Sequence, residues 1–192
     1  MGPVKNNQDS TRSALSFLSG TAVKFASSEI ANSVYHFIGE SLKELNPNAI
    51  IIVNSIDSSQ EVSTTEAFFS PPGLIDKIIS SLGFNPVGKT YKTDSSILEL
   101  KSGYIRKFEY GIHELSFRTI PKTIARSLEK LVNLGSIYGI AFMIENRMYA
   151  NAALIFRKGD DLSQREIIET FVRQASVTLK RLEAERNEEK FR

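Results

Sequence analysis

The spacing of apolar and polar positions predicts two helices in the first quarter of the chain. The stretch 13–28 is typical of an imperfect first helix with Gly20 as its weak point. A second helix over 30–45 ends at Asn46-Pro47-Asn48, because this turn-forming triplet breaks the helical pattern. Its apolar residues recur three and four positions apart, which places them on one face. They are Ile30, Val34, Phe37, Ile38, Leu42 and Leu45.

Runs of β-branched and aromatic residues predict two hairpins. Residues Ala49 to Val53 are apolar throughout and suit a strand that is buried on both faces. Residues 61–70 return with strand character after a polar turn. Residues 136–144 and 148–156 predict a second hairpin around Glu145-Asn146-Arg147, and both of its strands belong near the centre of a sheet.

The region between the hairpins has the least regular pattern. We predict a short strand at 85–93, a short helix at 95–103 and an aromatic-rich connection over 104–117 that covers a cavity. Short amphipathic helices are predicted at 74–83 and from Pro121 onward. Hairpins alternating with helices in this way indicate an α+β domain, with an antiparallel sheet and helices on its faces.

The longest predicted helix follows Ser163 and meets no glycine or proline before the last residue. Its apolar positions recur with the spacing four, three, four, three, which is a heptad seam. The seam predicts a dimer with a second copy of the chain and a signalling role for this helix. The alternative is that the same face covers the sheet of its own domain. The seam residues are Ile168, Val172, Ala175, Leu179 and Leu182.

Composition and charge narrow the possible chemistry. The 192 residues contain 24 basic and 22 acidic side chains without a dense basic cluster, so we expect no nucleic-acid partner. The absence of cysteine excludes disulfides, thiolate metal sites and cysteine nucleophiles. The longest apolar run is short and the polar segment 1–13 lacks a signal-peptide core. We therefore expect no membrane insertion, a cytoplasmic location and disorder over 1–13.

The last third of the chain resembles the end of a GAF domain. It carries a hydrophobic hairpin, an acidic loop and a long helix with the pattern Phe-x-x-Gln-Ala-Ser-x-x-Leu at 171–179. The strings YHFIGESLKEL, AIIIVNSID and LGFNPVGKTYK also resemble the GAF modules of multi-domain archaeal sensor histidine kinases, chiefly those of methanogens. The resemblance covers residues 14–184.

This resemblance implies a fold, a function and partners. The fold is α+β, GAF-like and PAS-related, with an antiparallel sheet of about five to six strands and a long C-terminal signalling helix. The implied function is a sensory module of a two-component system that binds an unknown small molecule and dimerises through its terminal helices. The tail RLEAERNEEKFR resembles the linker that precedes a PAS domain. We therefore expect a sensor domain over 14–184 and a charged helical linker over 185–192, with neighbouring PAS and kinase domains as partners.

His113 lies in GIHELSFRTIP, which resembles the phosphoacceptor box of sensor histidine kinases, His-Glu-Leu-Arg-Thr-Pro. Here Ser116-Phe117 separate His-Glu-Leu from Arg-Thr, and on a helix this insertion would rotate the arginine by about 200°. Gly103 and Gly111 also interrupt any helical stripe upstream. We therefore interpret His113 as a loop or pocket-wall residue. The alternative is an axial ligand of haem in a redox or gas sensor.

Other activities found on the GAF fold are disfavoured by missing residues. Reduction of free methionine sulfoxide and bilin attachment need cysteine, and the Asn-Lys-Phe-Asp-Glu pattern of cyclic-nucleotide-binding modules does not occur. We therefore expect no enzymatic activity, no metal and no firm cofactor, with haem as the alternative. A further alternative is a structural dimerisation spacer without a ligand. The candidate pocket residues are Tyr91, Tyr110, His113, Phe117 and Phe142.

Overall fold

The computed structural model describes residues 4–93, 100 and 104–190. Within these residues the chain forms a six-stranded antiparallel sheet with helices on both faces, as the sequence predicted. The helices are α1 (Val4–Ala26), α2 (Val34–Leu45), α3 (Ile75–Leu82), α4 (Ile112–Leu115), α5 (Lys122–Leu131) and α6 (Arg165–Lys190), with a 3-10 helix over Ser28–Asn32. The strands are β1 (Ile50–Ile56), β2 (Val62–Phe69), β3 (Thr90–Lys92), β4 (Ile105–Phe108), β5 (Leu134–Ile144) and β6 (Arg147–Arg157).

The strands are arranged in the order β3-β2-β1-β6-β5-β4. Both predicted hairpins, β1–β2 and β5–β6, are confirmed by their antiparallel pairing. Strand β6 also pairs with β1, so the two most apolar segments of the sequence lie side by side at the centre of the sheet. A sheet that is covered on both faces favours such continuous apolar runs, because no side chain of a central strand meets water.

One face of the sheet packs against α2 and α6, with α1 packed on α6, and we call it the closed face. Ile51, Val53, Phe142 and Leu154 point into its core, where none of them is more than marginally exposed. Phe171 of α6 fills the centre of this layer, with its ring 5.8 Å from that of Phe17 and 5.6 Å from that of Phe25.

The opposite face packs against α3, α4 and α5, and we call it the cavity face. Successive side chains of a strand point to opposite faces, so Ile50, Ile52 and Ile155 lie here while their neighbours in sequence lie on the closed face. Leu128 of α5 completes the buried apolar cluster, and α3 ends at Gly83, whose positive φ of 77° terminates the helix in the left-handed conformation.

The heptad seam of α6 packs inside its own domain. Its five residues are between 0 and 4% exposed and belong to the core of the closed face, and α6 packs against β5, β6 and α1. The sequence interpretation of this face as a dimer seam is therefore corrected, because these side chains are already covered. A helix on a sheet and a helix in a coiled coil share the same apolar period, so the spacing did not distinguish them. The corrected residues are Ile168, Val172, Ala175, Leu179 and Leu182.

Two further regions differ from the sequence-based expectations. Helix α1 already begins at Val4, whereas the polar composition had indicated disorder over 1–13. Residues 9–13 are exposed. Because the later turns of α1 pack against the domain, the first turns can continue the helix without an apolar face of their own. Apart from Leu100, the helix predicted at 95–103 lies outside the described residues. None of the described helices combines the length and the apolarity that a membrane span requires.

Candidate ligand-binding site

A cavity of about 130 Å³ lies on the cavity face, between the central strands and the segment that contains α4. Its floor is formed by β1, β2 and β6, and its roof by residues of α3, α4, α5 and the connections between them. The apolar lining residues are Ile50, Ile52, Phe68, Ile78, Leu82, Phe84, Pro86, Leu100, Phe108, Tyr110, Ile112, Leu115, Phe117, Ile120, Leu128, Val132, Gly139, Ala152, Ala153 and Ile155. The polar ones are Asn54, Ser63, Thr65, Tyr91, Ser116 and Asn151.

Small residues of the central strands leave the room for this cavity. Ala153 of β6 pairs with Ile52 of β1 and with Gly139 of β5, so two of these three neighbours carry little or no side chain. A Cβ atom at Gly139 would overlap the side chains of Leu100 and Phe108, which lie directly over this glycine. At Gly139 the Leu100 and Phe108 side chains take the place of a side chain, and Ala153 is the small residue that borders the cavity.

A row of polar side chains crosses the floor of the cavity. Thr65, Asn54 and Asn151 face one another on β2, β1 and β6 as direct cross-strand partners. The Thr65 hydroxyl donates to Asn54 Oδ1 at 2.9 Å, and Asn54 Nδ2 donates to Asn151 Oδ1 at 2.8 Å. A register shift between Val53 and Asn54 leaves Glu66 without a direct partner on β1 and aligns Thr65 with Asn54.

Two buried polar atoms of this floor have no hydrogen-bond partner among the residues that the structure describes. They are the Ser63 hydroxyl oxygen and Asn151 Nδ2, on residues that are 0% and 6% exposed. Buried polar groups are nearly always hydrogen-bonded in folded proteins, since leaving one unpaired costs about 1 to 3 kcal/mol. Burial also raises the pKa of the neighbouring Tyr91 phenol, while its hydrogen bond with Thr65 lowers it. The floor thus offers polar atoms in a surrounding that excludes charge.

The roof includes a short segment, residues 109–121, which we call the lid. Glu129 of α5 accepts a hydrogen bond from the backbone N–H of Ile112 at 2.8 Å, which fastens the start of α4. His113 Nδ1 lies 2.7 Å from the carbonyl oxygen of Ile120, and the Ser116 hydroxyl accepts from the backbone N–H of Ile120 at 3.1 Å. Glu129 therefore ties the lid to α5, while His113 and Ser116 hold the segment together from within.

The backbone of the lid is strained next to the cavity. Phe117 and Arg118 have positive φ angles of 51° and 60°, a left-handed conformation that non-glycine residues adopt rarely. Phe117 nevertheless lines the cavity with its side chain. The lid therefore places Phe117 at the cavity in a backbone conformation that glycine adopts more readily.

Three of the five residues predicted to form the pocket line this cavity, namely Tyr91, Tyr110 and Phe117. Tyr110 stacks on Phe108 with ring centroids 4.6 Å apart. His113 lies in the lid, where Nδ1 is engaged by Ile120, and it does not line the cavity. Phe142 is fully buried in the closed face, so its assignment to the pocket is corrected. Which residues contact a ligand stays a prediction.

The polar floor was missed in the sequence although the sequence carried a signal for it. Asn151 interrupts the run MYANAALIF, whose remaining residues are all apolar. Asn54 directly follows the apolar run of β1. Asparagine in the middle of a doubly covered strand is unusual, because its amide must find partners away from water. Such interruptions mark the floor of the cavity better than the aromatic residues do.

The haem alternative does not fit this geometry. Pockets for drug-sized ligands have volumes of about 300 to 1,000 Å³, whereas this cavity measures about 130 Å³. His113, the proposed axial ligand, engages one ring nitrogen with the backbone of the lid and lies off the cavity wall. This cavity therefore offers neither the space nor a histidine ligand for a haem group.

Comparison with solved structures places this architecture among GAF domains, although no family model and no curated protein matches the sequence. The chain is similar to the chromophore-binding domain of the bacteriophytochrome RpBphP3 from R. palustris, with a TM-score of 0.62 and 11% identity. That match covers 88% of this chain and 62% of the other, so this chain spans less than two thirds of that structure.

Two shorter structures are matched over nearly their full length. The GAF domain of an Acinetobacter phosphoenolpyruvate-protein phosphotransferase has a TM-score of 0.60 and 13% identity, over 88% of this chain and 94% of that one. Residues 122 to 287 of a methyl-accepting chemotaxis protein give 0.58 and 12%, over 88% and 99%. Identities this low establish the fold alone. The chain has the GAF fold, with a six-stranded antiparallel sheet and a long C-terminal helix.

Proposed function

We propose that this chain is a sensory module that binds a small molecule in the cavity beneath the lid. The observation that carries the proposal is a partly open, mostly apolar cavity whose lining includes Ser63 and Asn151, each with a buried polar atom that has no partner among the described residues. A bound molecule removes the cost of these unpaired atoms and of the empty space, so ligand binding stabilises the folded state. The structural neighbours include a chemotaxis protein and phytochrome domains, and their functions in signalling agree with this proposal.

A route for the signal follows from the position of β6. Asn151 and Ala153 of this strand face the cavity, while Ala152 and Leu154 between and beside them belong to the opposite core. Helix α6 packs against β5 and β6 on that opposite side. A single strand therefore separates the cavity from the helix, and a small shift of β6 on ligand binding would move α6.

Side-chain contacts tie α6 to the rest of the closed face. Arg181 donates to the carbonyl oxygen of Phe25 at the end of α1 at 3.1 Å, and Arg147 in the β5–β6 hairpin pairs with Glu183. Thr21 of α1 donates to Gln174 of α6 at 3.1 Å. In our proposal these contacts transmit a displacement of β6 to α1 and α6. Such a movement of the terminal helices would pass the signal to a following domain.

We place this module in the cytoplasm, in a two-component sensor histidine kinase of archaeal, methanogen type, with PAS and kinase domains as its neighbours. The sequence resemblance supports this context, and α6 continues as an exposed charged helix through residues 185–190. The coding sequence that follows residue 192 in the natural gene tests it. A PAS or kinase module there would agree with the proposal, and a different class of protein would contradict it.

A homodimer is the second part of the proposal, and it must use a surface other than the buried seam. Leu15 and Val23 of α1 and Val177 of α6 are large apolar side chains that are 60 to 75% exposed on two helices that pack together. We propose that a second copy of the chain covers them. Analytical ultracentrifugation should show a dimer, and the double variant Val23→Glu/Val177→Glu should be monomeric. A monomeric wild-type chain would contradict the proposed homodimer.

The ligand proposal is tested by thermal unfolding with a panel of uncharged molecules of one-ring size. A ligand present at about 100 times its Kd should stabilise the wild-type chain by about 2.7 kcal/mol. Ala153→Leu fills the cavity with three further carbon atoms and should abolish this shift. Lys92→Ala, an exposed residue next to Tyr91, is the matched control and should respond like the wild type.

Two results would contradict the ligand proposal. Equal shifts for wild type and Ala153→Leu would mean that the molecules bind elsewhere. No shift with any compound would favour the structural spacer, in which the cavity has no ligand and the chain serves to join protomers.

A further inference from the structure

The chemistry of the ligand can be inferred from the atoms that line the cavity, and this inference rests on the proposed function. Asn151 Oδ1 is engaged by Asn54, which in turn is engaged by Thr65. These bonds orient the Asn151 amide and leave its Nδ2 as a donor without a partner in the described part of the chain. A fixed donor in an apolar surrounding is matched by a ligand atom that accepts a hydrogen bond.

Charge on the ligand is disfavoured by the same surroundings. Among the described lining residues none carries a formal charge, so no arginine, lysine, aspartate or glutamate compensates an ion there. Moving an isolated ion from water into such a site costs far more than one hydrogen bond returns. The match is therefore an uncharged molecule.

The size of the cavity limits the ligand further. A cavity of about 130 Å³ is close to that of about 150 Å³ which, lined by apolar side chains, admits a benzene molecule. The aromatic and aliphatic residues of the lid and of α3 surround this space. One six-membered ring with a single polar substituent matches both the volume and the lining.

We propose that the cavity selects an uncharged, one-ring-sized apolar molecule with one hydrogen-bond-accepting oxygen, and that this oxygen accepts from Asn151 Nδ2. Ser63, the other buried group without a partner, lies on β2 opposite Ile56 and serves as a secondary polar contact. Asn151 is the better discriminator, because its amide is fixed by Asn54 whereas a hydroxyl rotates freely.

The test compares three probes of equal ring size on the full chain. Cyclohexanone carries the accepting oxygen, methylenecyclohexane replaces that oxygen with carbon, and cyclohexanecarboxylate adds a charge. Calorimetry and two-dimensional NMR, with the Asn151 side-chain amide assigned, give the affinities and the contact. We expect cyclohexanone to bind about tenfold more tightly than methylenecyclohexane and to shift the Asn151 amide signal, as the loss of one buried hydrogen bond implies.

Two variants identify the residue that donates a hydrogen bond to the ligand oxygen. Asn151→Leu should bind the ketone and the alkene with equal affinity, and Ser63→Ala should retain the preference for the ketone. A ketone preference that disappears in Ser63→Ala and persists in Asn151→Leu would overturn the assignment to Asn151. If Asn151→Leu does not fold, the probe pair and the Asn151 amide signal of the wild-type chain still decide the matter.

The remaining outcomes separate this inference from the proposed function. Equal binding of the ketone and the alkene would overturn the ligand class, because a retained water would then satisfy Asn151, while ligand binding itself would stand. Tightest binding of the carboxylate would overturn the uncharged class in the same way. Failure of all three probes to bind would overturn both the ligand class and the proposed sensory cavity.

Discussion

The closed face and the cavity face share the same strands, yet they are packed in different ways. On the closed face, Phe142, Leu154 and Phe171 belong to one core with residues of α1 and α2, and each is fully buried. On the cavity face, Ala153 and the polar row border open space beneath the lid. The alternation of side chains along β6 lets one strand serve both purposes, with tight packing on one side and an adaptable site on the other. Alternate residues of β6 thus serve the packed core and the proposed ligand site.

The largest contrast is expected when one phenylalanine is truncated on each face. Phe171→Ala removes a ring that contacts Phe17 and Phe25 in a filled core, and should destabilise the fold by about 3 to 5 kcal/mol. Phe117→Ala should cost less than half of that, because Phe117 is only half-buried and already borders empty space. Urea denaturation of both variants measures the difference. Equal losses would mean that the two faces are equally well packed.

Adding the same volume on each face should change stability in opposite directions. Ala150→Leu enters the closed face, where Ala150 has no exposed surface, and should destabilise by about 1 to 3 kcal/mol through overpacking. Ala153→Leu, three residues along the same strand, enters the cavity and should be neutral or stabilise by about 1 kcal/mol. Thermal unfolding compares them. A costly Ala153→Leu would contradict the presence of usable space on the cavity face.

The polar floor offers a finer contrast within the cavity face. Asn54→Ala deprives both Thr65 and Asn151 of their partner and should cost roughly 1.5 kcal/mol. Ser63→Ala removes a hydroxyl that already lacks a partner, so stability should stay the same or rise by a few tenths of a kcal/mol. Denaturation at several pH values checks both. A clear loss in Ser63→Ala would show that this hydroxyl has a partner in solution.

The smallest effect concerns a charge at the rim of the closed face. The Tyr138 hydroxyl, the Leu162 N–H and the Ser136 hydroxyl donate to Asp161 and lower its pKa, with the Tyr138 bond as the largest cause. A carboxyl group with a lowered pKa stabilises the fold above its unfolded value, about 3.9, and this contribution is lost as the pH falls through the folded pKa.

Because Asp161 is exposed, we expect its pH-dependent contribution to be well below 1 kcal/mol. Asp161→Asn should show a flatter loss of stability between about pH 5 and pH 2 than the wild type. Acid titration followed by circular dichroism measures this slope. An unchanged slope in the variant would mean that Asp161 does not contribute to the loss of stability at low pH.

The sequence predicted the elements better than it predicted which side of the sheet each residue faces. The β5–β6 hairpin was readable because both strands are apolar and flank a polar turn. Phe142 was assigned to the pocket because apolarity reveals burial but not direction, although it shares the closed face with Ile140, two residues earlier on β5. In the same way, the apolar stripe of α6 showed that this helix is covered but not by what.

The cavity itself was only partly predictable. An irregular aromatic segment indicated a lid, and Tyr110 and Phe117 do lie there. The floor beneath it pairs Ala153 with Gly139, over which Leu100 and Phe108 pack, and this pairing needs the register of the folded sheet. Asn151, by contrast, is visible in the sequence as a polar residue inside an apolar strand, and it is now the residue on which the ligand inference depends.

The central claim is that unfilled space lies on one face of the sheet and not on the other. The most direct measurement is a crystal structure of the chain under xenon pressure, because xenon occupies cavities that are lined by apolar side chains. We expect a xenon site between β6 and the lid, none among α1, α2 and α6, and loss of the site in Ala153→Leu. Xenon bound within the closed face, or no xenon beneath the lid, would contradict the account.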